Sequence, residues 1–135
     1  MISSHAALIY TMVLVSAADN DMTDAELRTI GEIVNFLPIF SDYSLELLPT
    51  TARACAELLE QSGLEDALGL IRTSLEPRLW ETAYAIACDV AVADGRTGQE
   101  ELRLLELLRH HLSIDALVAA AIERGARARH LRLTE

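Results

Sequence analysis

Two acidic stretches hold the side chains with the most chemical potential in the chain. The first reads Asp19-Asn20-Asp21-Met22-Thr23-Asp24-Ala25-Glu26, and the second reads Asp94-Gly95-Arg96-Thr97-Gly98-Gln99-Glu100-Glu101. Each follows an apolar run and precedes an amphipathic one. Asp19 and Asp94 therefore fall where a helix ends, at the negative pole of its dipole, which is an unfavourable place for a carboxylate. Two things can offset that placement: the free N–H groups of the next helix, or a bound hard cation taking several carboxylate or carbonyl oxygens. Donors that are all oxygen favour Ca²⁺, Mg²⁺ or Mn²⁺ over Zn²⁺. The first stretch is not an EF-hand, because Asp24 stands where that loop needs Gly and Ile30 where it needs a bidentate Glu. The same residues also read as plain turn and cap formers, with Thr23 and Thr97 each followed by an acid three residues on, Glu26 and Glu100.

The remaining candidates carry less. Glu106 and His110 share one helix face, but zinc or di-iron chemistry needs further ligands at matched spacing, and Glu-x-x-His occurs nowhere. Closing histidines at a helix end are favourable dipole partners in their own right. A serine elbow, a glycine-rich phosphate loop and a local Cys–His pair are all absent, so nucleophilic catalysis has no support and the expectation is a protein that is not an enzyme. Arg124, Arg127, Arg129 and Arg132 make the C-terminus basic. They suit either a docking arm or an end that folds back on the domain's own acidic surface, and the second is favoured because helix C-termini collect cations.

The elements that must position these residues read as helices throughout. Glycine and proline are few, at 6 and 3, and helical periodicity persists over long stretches. The spacing predicts about seven helices. The first covers about Ser4 to Ala18 and is apolar nearly all round, as a central helix should be. The second opens with a capping box at Thr23-Asp24-Ala25-Glu26 and stops at Pro38. The third covers about Thr51 to Gln61 and ends at Gly63. The fourth covers about Leu64 to Leu75, with Leu64, Ala67, Leu68, Ile71 and Leu75 inward. The fifth starts at Pro77 and is again apolar on most sides to about Ala93. The sixth spans about Gly98 to His110, and the last starts after Ser113 and ends near Ala128.

An internal repeat ties these together. A shift of 75 residues lays Ser16-Ala17-Ala18-Asp19 over Ala91-Val92-Ala93-Asp94, and Glu26-Leu27-Arg28 over Glu101-Leu102-Arg103. Ile30 then falls on Leu105 and Ile33 on Leu108. The expectation is one all-α domain over residues 1–135, in two pseudo-symmetric halves of about 4–62 and 77–128. The two apolar helices should pack on each other at its centre.

Composition narrows the function. The chain has 135 residues, 51% of them hydrophobic, enough to fill one core and inconsistent with disorder. Its 11 basic residues, all arginine, face 21 carboxylates for a net charge of −10. That charge repels phosphate backbones, so no nucleic-acid partner is expected, while divalent cations or basic partners are favoured. The apolar run Ala6–Ala18 is too short to span a bilayer, membrane contact is not expected, and the start lacks a basic n-region. Cys55 and Cys88 read as buried free thiols of a reducing compartment, which points to the cytoplasm.

Ala-Ala-Asp followed seven residues on by Glu-Leu, and the second copy beginning Val-Ala-Asp-Gly, together resemble the tellurite-resistance TerB family and its wider TerB-like domain. The similarity covers roughly Ser4 to Gly125. The resemblance implies a compact all-helical fold in two related halves. It further implies acidic loops that bind divalent metal, and a binding module rather than an enzyme, acting in tellurite and stress response with protein partners. Carried over position by position, it nominates Asp19 and Glu26 in the first half and Asp94 and Glu101 in the second, and Asp21 joins the first set on its own chemistry. Asn20 replaces the motif glycine, which asparagine's tolerance of left-handed backbone permits. Arg96 stands where the first loop has Asp21, and it can neutralise Asp94 without a metal, so the first loop is the better site. The alternative is a metal-free interaction scaffold or homodimer whose acidic loops are only helix caps.

Overall fold

A long apolar run must be buried on every side, and in Ser4–Ser16 (α1) every residue from Ala7 to Ser16 is buried. The computed structural model describes residues 1–18, 22–93 and 98–134. Its helices are α1, α2 (Asp24–Phe36), α3 (Leu48–Ser74), α4 (Trp80–Val92), α5 (Gln99–His111) and α6 (Ala116–Arg129). Short 3₁₀ turns at Pro38–Phe40, Leu45–Leu47 and Pro77–Leu79 connect them, and no strand occurs among the described residues.

The count is six where seven were expected, and the reason is local. The expected third and fourth helices run together as α3, broken at Gly63, whose φ of 84° and ψ of 175° only glycine adopts without strain. Its side-chain position meets nothing within 4 Å, so the glycine serves the backbone rather than a close approach. Pro77 opens a 3₁₀ turn ahead of α4 rather than α4 itself.

The two apolar helices meet as expected. α1 packs against α3 and α4, and α4 against α6, α5 and α1. The amphipathic helices lie over this pair: Ile30 and Val34 of α2 and Leu104, Leu105 and Leu108 of α5 are buried in the common core. α2 and α5 begin and end 75 residues apart, matching the repeat. Met12 lies in the core and Met22 packs on it, whereas Met1 stands in solvent.

Polar groups at the core are satisfied unevenly, by their own helix or by a neighbour where they are satisfied. Thr11 donates to the Ala7 carbonyl one turn back at 2.8 Å. Arg72 lies 4.3 Å from the Trp80 ring centre and donates to the His111 carbonyl and to Ser113 Oγ. One guanidinium thus caps the end of α5 from α3. His111 also approaches Glu65, at 3.4 Å.

The basic C-terminus folds back. Arg129 reaches Asp89 Oδ1 at 2.6 Å, His130 approaches the same oxygen at 3.4 Å, and Arg132 donates to the Ala93 carbonyl at 3.3 Å. Asp89 is only 18% exposed, so its charge is met mainly by these partners.

Candidate functional site

Helix ends decide the geometry at the acidic stretches. α1 and α4 both finish where α2 and α5 begin, because the halves cross with their apolar helices at the centre. The four ends share one cavity of about 260 Å³. α1 lends it Ser16, α2 lends Thr23, Glu26 and Thr29, the end of α4 lends Val90 and Ala93, and α5 lends Glu101. Two of the five nominated residues, Glu26 and Glu101, are therefore brought together from opposite halves. Asp19, Asp21 and Asp94, together with Arg96 and Thr97, lie outside the described residues.

Both glutamates close helix caps. The Thr23 N–H donates to Glu26 Oε1 at 2.8 Å, and the Glu26 N–H donates to Thr23 Oγ1 at 3.1 Å, completing the expected capping box. In the second half the cap is shifted from the expected Thr97 and Glu100. Gly98 is the N-cap of α5, and its N–H donates to Glu101 Oε1 at 3.0 Å. These positions lie 75 residues beyond Thr23 and Glu26, so the repeat predicts the cap better than the choice of the better capping residue type does. Each carboxylate also sits at the positive pole of its helix, where it is stabilised.

One residue escaped the sequence reading. Ser16 is 3% exposed and lines the cavity, and its hydroxyl has no hydrogen-bond partner among the described residues. A buried hydroxyl without a partner costs about 1–3 kcal/mol, so it marks a place for a further polar contact. The signal was available in principle: Ser16 interrupts an otherwise apolar run, and its repeat mate is Ala91.

The donors at the cavity's rim are hydroxyl and carboxylate oxygens, and no His or Cys lines it among the described residues. The cap occupies Glu26 Oε1 and leaves Oε2 outside that bond. Such a donor set suits a hard cation. Among the described residues no group of three or more His, Cys, Asp or Glu side chains is close enough to hold a metal ion by itself. A complete ligand set would thus draw on the loop residues as well. The Glu106 and His110 pair gains no third ligand either.

A family model described as tellurite resistance protein TerB matches residues 5–124. The chain belongs to the TerB family. The match takes in both apolar helices, both caps and the converging helix ends, and the all-helical architecture is the one the family implies. None of the curated proteins and none of the solved structures compared with this TerB chain matches it. No helix among the described residues is long and apolar enough to cross a membrane.

Proposed function

We propose that this TerB domain is a non-enzymatic binding module that takes one divalent cation, Ca²⁺, Mg²⁺ or Mn²⁺ rather than Zn²⁺, at the cavity shared by the helix ends of its two halves. It serves tellurite or stress response in the cytoplasm, alongside protein partners. The observation that supports this is the convergence of Glu26 and Glu101, from opposite halves, on a cavity that also holds the unpartnered Ser16 hydroxyl. Asp19, Asp21 and Asp94 flank those helix ends in sequence and would complete an oxygen shell, with the first loop contributing more because Arg96 opposes a cation in the second. The ion would offset the carboxylates placed at the carbonyl ends of α1 and α4.

One observation favours a metal-free scaffold instead. The caps account for one oxygen of Glu26 and one of Glu101 without any ion, and Phe36 and Leu117 stand almost fully exposed, as residues meeting a partner or a second copy would. Calorimetric titration of the chelator-stripped protein with Ca²⁺, Mg²⁺, Mn²⁺ and Zn²⁺ separates the two readings. Micromolar binding that is lost in Asp19→Asn, weakened in Ser16→Ala and largely kept in Asp94→Asn supports the cation site. Absence of heat for every ion, with a melting temperature indifferent to them, sinks it in favour of the scaffold.

A further inference from the structure

The second half contains an open groove of about 440 Å³ between α4, α5 and α6. Val92, Leu102, Leu105 and Ala126 form its apolar walls, and Leu102 is left 51% exposed. At its floor the Tyr84 hydroxyl donates to Glu123 Oε2 at 2.5 Å, beside the buried Cys88. Arg109 from α5 and Arg127 from α6 complete the lining.

The repeat shows that this opening is not a property of the scaffold. With α2 laid on α5, Glu106 falls on Gly31 and Arg109 on Val34. With α1 laid on α4, Tyr84 falls on Ile9 and Cys88 on Val13. Ile9 and Val13 are buried, as are Tyr84 and Cys88, but Val34 is buried where Arg109 is only half-buried. Leu48 at the start of α3 closes the space over α2, with its Cδ2 3.7 Å from where a side chain on Gly31 would begin. The second half has replaced that plug with charged and polar groups, and α6 supplies Glu123 and Arg127 where α3 supplies Leu48 and Ala52.

The charges in the groove are not balanced by one another. Glu123 accepts the Tyr84 hydroxyl, and Glu106 is exposed to water. Neither the Arg109 nor the Arg127 guanidinium makes a hydrogen bond or ion pair among the described residues. The surroundings oppose an anion less here than in the rest of the chain. Residues 96–135 carry seven of the eleven arginines against six carboxylates, whereas residues 1–95 carry four against fifteen.

We propose that this groove binds a small amphipathic monocarboxylate, its chain against Leu102, Leu105 and Val92 and its carboxylate held by Arg109 and Arg127. A guanidinium fork matches a carboxylate in shape and donates two parallel hydrogen bonds to it. Glu106 and Glu123 nearby select against a dianion, so a carboxylate fits better than a phosphate. The volume lies within the range of roughly 300–1,000 Å³ usual for small ligands, and apolar walls with a few polar groups are their ordinary lining. The site is separate from the cation site and does not depend on it.

The test is titration of the full chain with decanoate, decylammonium, decanol and acetate, followed by amide chemical shifts and calorimetry below the micelle concentration. The expected result is saturable one-to-one binding of decanoate with shifts at Leu102, Leu105 and Ala126, and little binding of acetate or decylammonium. The Arg109→Gln/Arg127→Gln double variant should weaken decanoate about tenfold or more. Arg124→Gln, on an exposed position outside the groove, and Asp19→Asn at the cation loop should leave it unchanged. Equal binding of decanoate and decylammonium, an unaffected double variant, or no binding of decanoate would each overturn the proposal.

Discussion

Val34 and Leu48 close the space between the second and third helices of the first half, while in the second half Arg109 and Glu123 border an open groove in the corresponding place. The helices that carry Val34 and Arg109 are counterparts, α2 and α5 both being 13 residues long and 75 residues apart, whereas Leu48 opens the long α3 and Glu123 lies within α6. At Val34 and Arg109 the difference therefore lies in the side chain, where a helix face either completes the core or is given up to solvent. The first half uses them for the core: α1 is shielded on every side, and α3 wraps it. The second half also buries Tyr84 and Cys88 of α4, but leaves Leu102 of α5 and Arg127 of α6 exposed along the groove. A duplicated scaffold can tolerate this because α4 stays packed on α1, α5 and α6. Binding chemistry then accumulates in two kinds of place, where the halves meet at their helix ends and where one half has lost its plug.

Exchanging the residues at one repeat position breaks that contrast most severely. Val34 is 2% exposed, so Val34→Arg places a cation in the core with no carboxylate partner and should cost about 4 kcal/mol or more in urea unfolding. The reciprocal Arg109→Val removes an unpaired charge from an open groove and should change stability by no more than about 0.5 kcal/mol. If Val34→Arg proved as mild as a surface change, the first half would also have room there, and the distinction between plugged and open halves would fall.

The two thiols sharpen the same contrast through pH. Burial alone pushes the Cys55 thiol from an ordinary 9.0 up to about 12, with its Sγ set 3.9 Å from the Tyr10 carbonyl. Cys88 is also pushed up to about 12, first by burial and then by the charge of Glu123, against the opposing pull of the Tyr84 hydroxyl. A raised thiol contributes stability that is complete below pH 9 and is lost as pH rises toward 12, because the unfolded chain gives up its proton first. The loss should be on the order of 2 kcal/mol per thiol by pH 11. Tyr84, raised by burial and by its bond to Glu123, adds to it above its ordinary value of 10.0. Melting temperature should therefore fall on alkalinisation, and Cys55→Ala/Cys88→Ala should flatten the early part of the fall. At neutral pH a thiol reagent should reach groove-lining Cys88 before Cys55, and equal rates would mean the groove is not open to solvent.

The sequence made the fold legible wherever the signal was local. Apolar residues around the whole circumference of α1 and α4 announced central helices, Ile30 and Val34 marked the inward face of α2, Gly63 marked a break, and Thr23 with Glu26 gave a cap. What escaped depended on contacts between distant segments. That Glu26 and Glu101 share a cavity follows from the crossing of the halves, which periodicity along one helix cannot express. The unpartnered Ser16 hydroxyl follows from what surrounds it, since Thr11 in the same helix satisfies itself by reaching back one turn. The second cap was read at Thr97 because a threonine oxygen is the better acceptor. The helix begins one residue later, at the position in register with Thr23, where Leu104, Leu105 and Leu108 of α5 fit the core.

That shift gives the smallest and most selective test of the repeat. Thr23 contributes a hydroxyl to the Glu26 N–H, and Gly98 offers none to Glu101. Thr23→Ala should cost about 1 kcal/mol, but Thr23→Gly only a few tenths, because glycine's backbone suits an N-cap. Gly98→Ser should gain a few tenths: the backbone is extended, with φ −80° and ψ 172°. The new Cβ would lie 3.5 Å from Glu100 Oε2 and 3.7 Å from Glu101 Oε1, ordinary contact distances. The combined Thr23→Gly/Gly98→Ser variant should then unfold within about 0.5 kcal/mol of the parent, since the two sites perform the same task on equivalent helices. A loss well beyond that, appearing only with Thr23→Gly and growing when a divalent cation is present, would show that the Thr23 hydroxyl at the cavity rim helps to hold the ion as well as the helix.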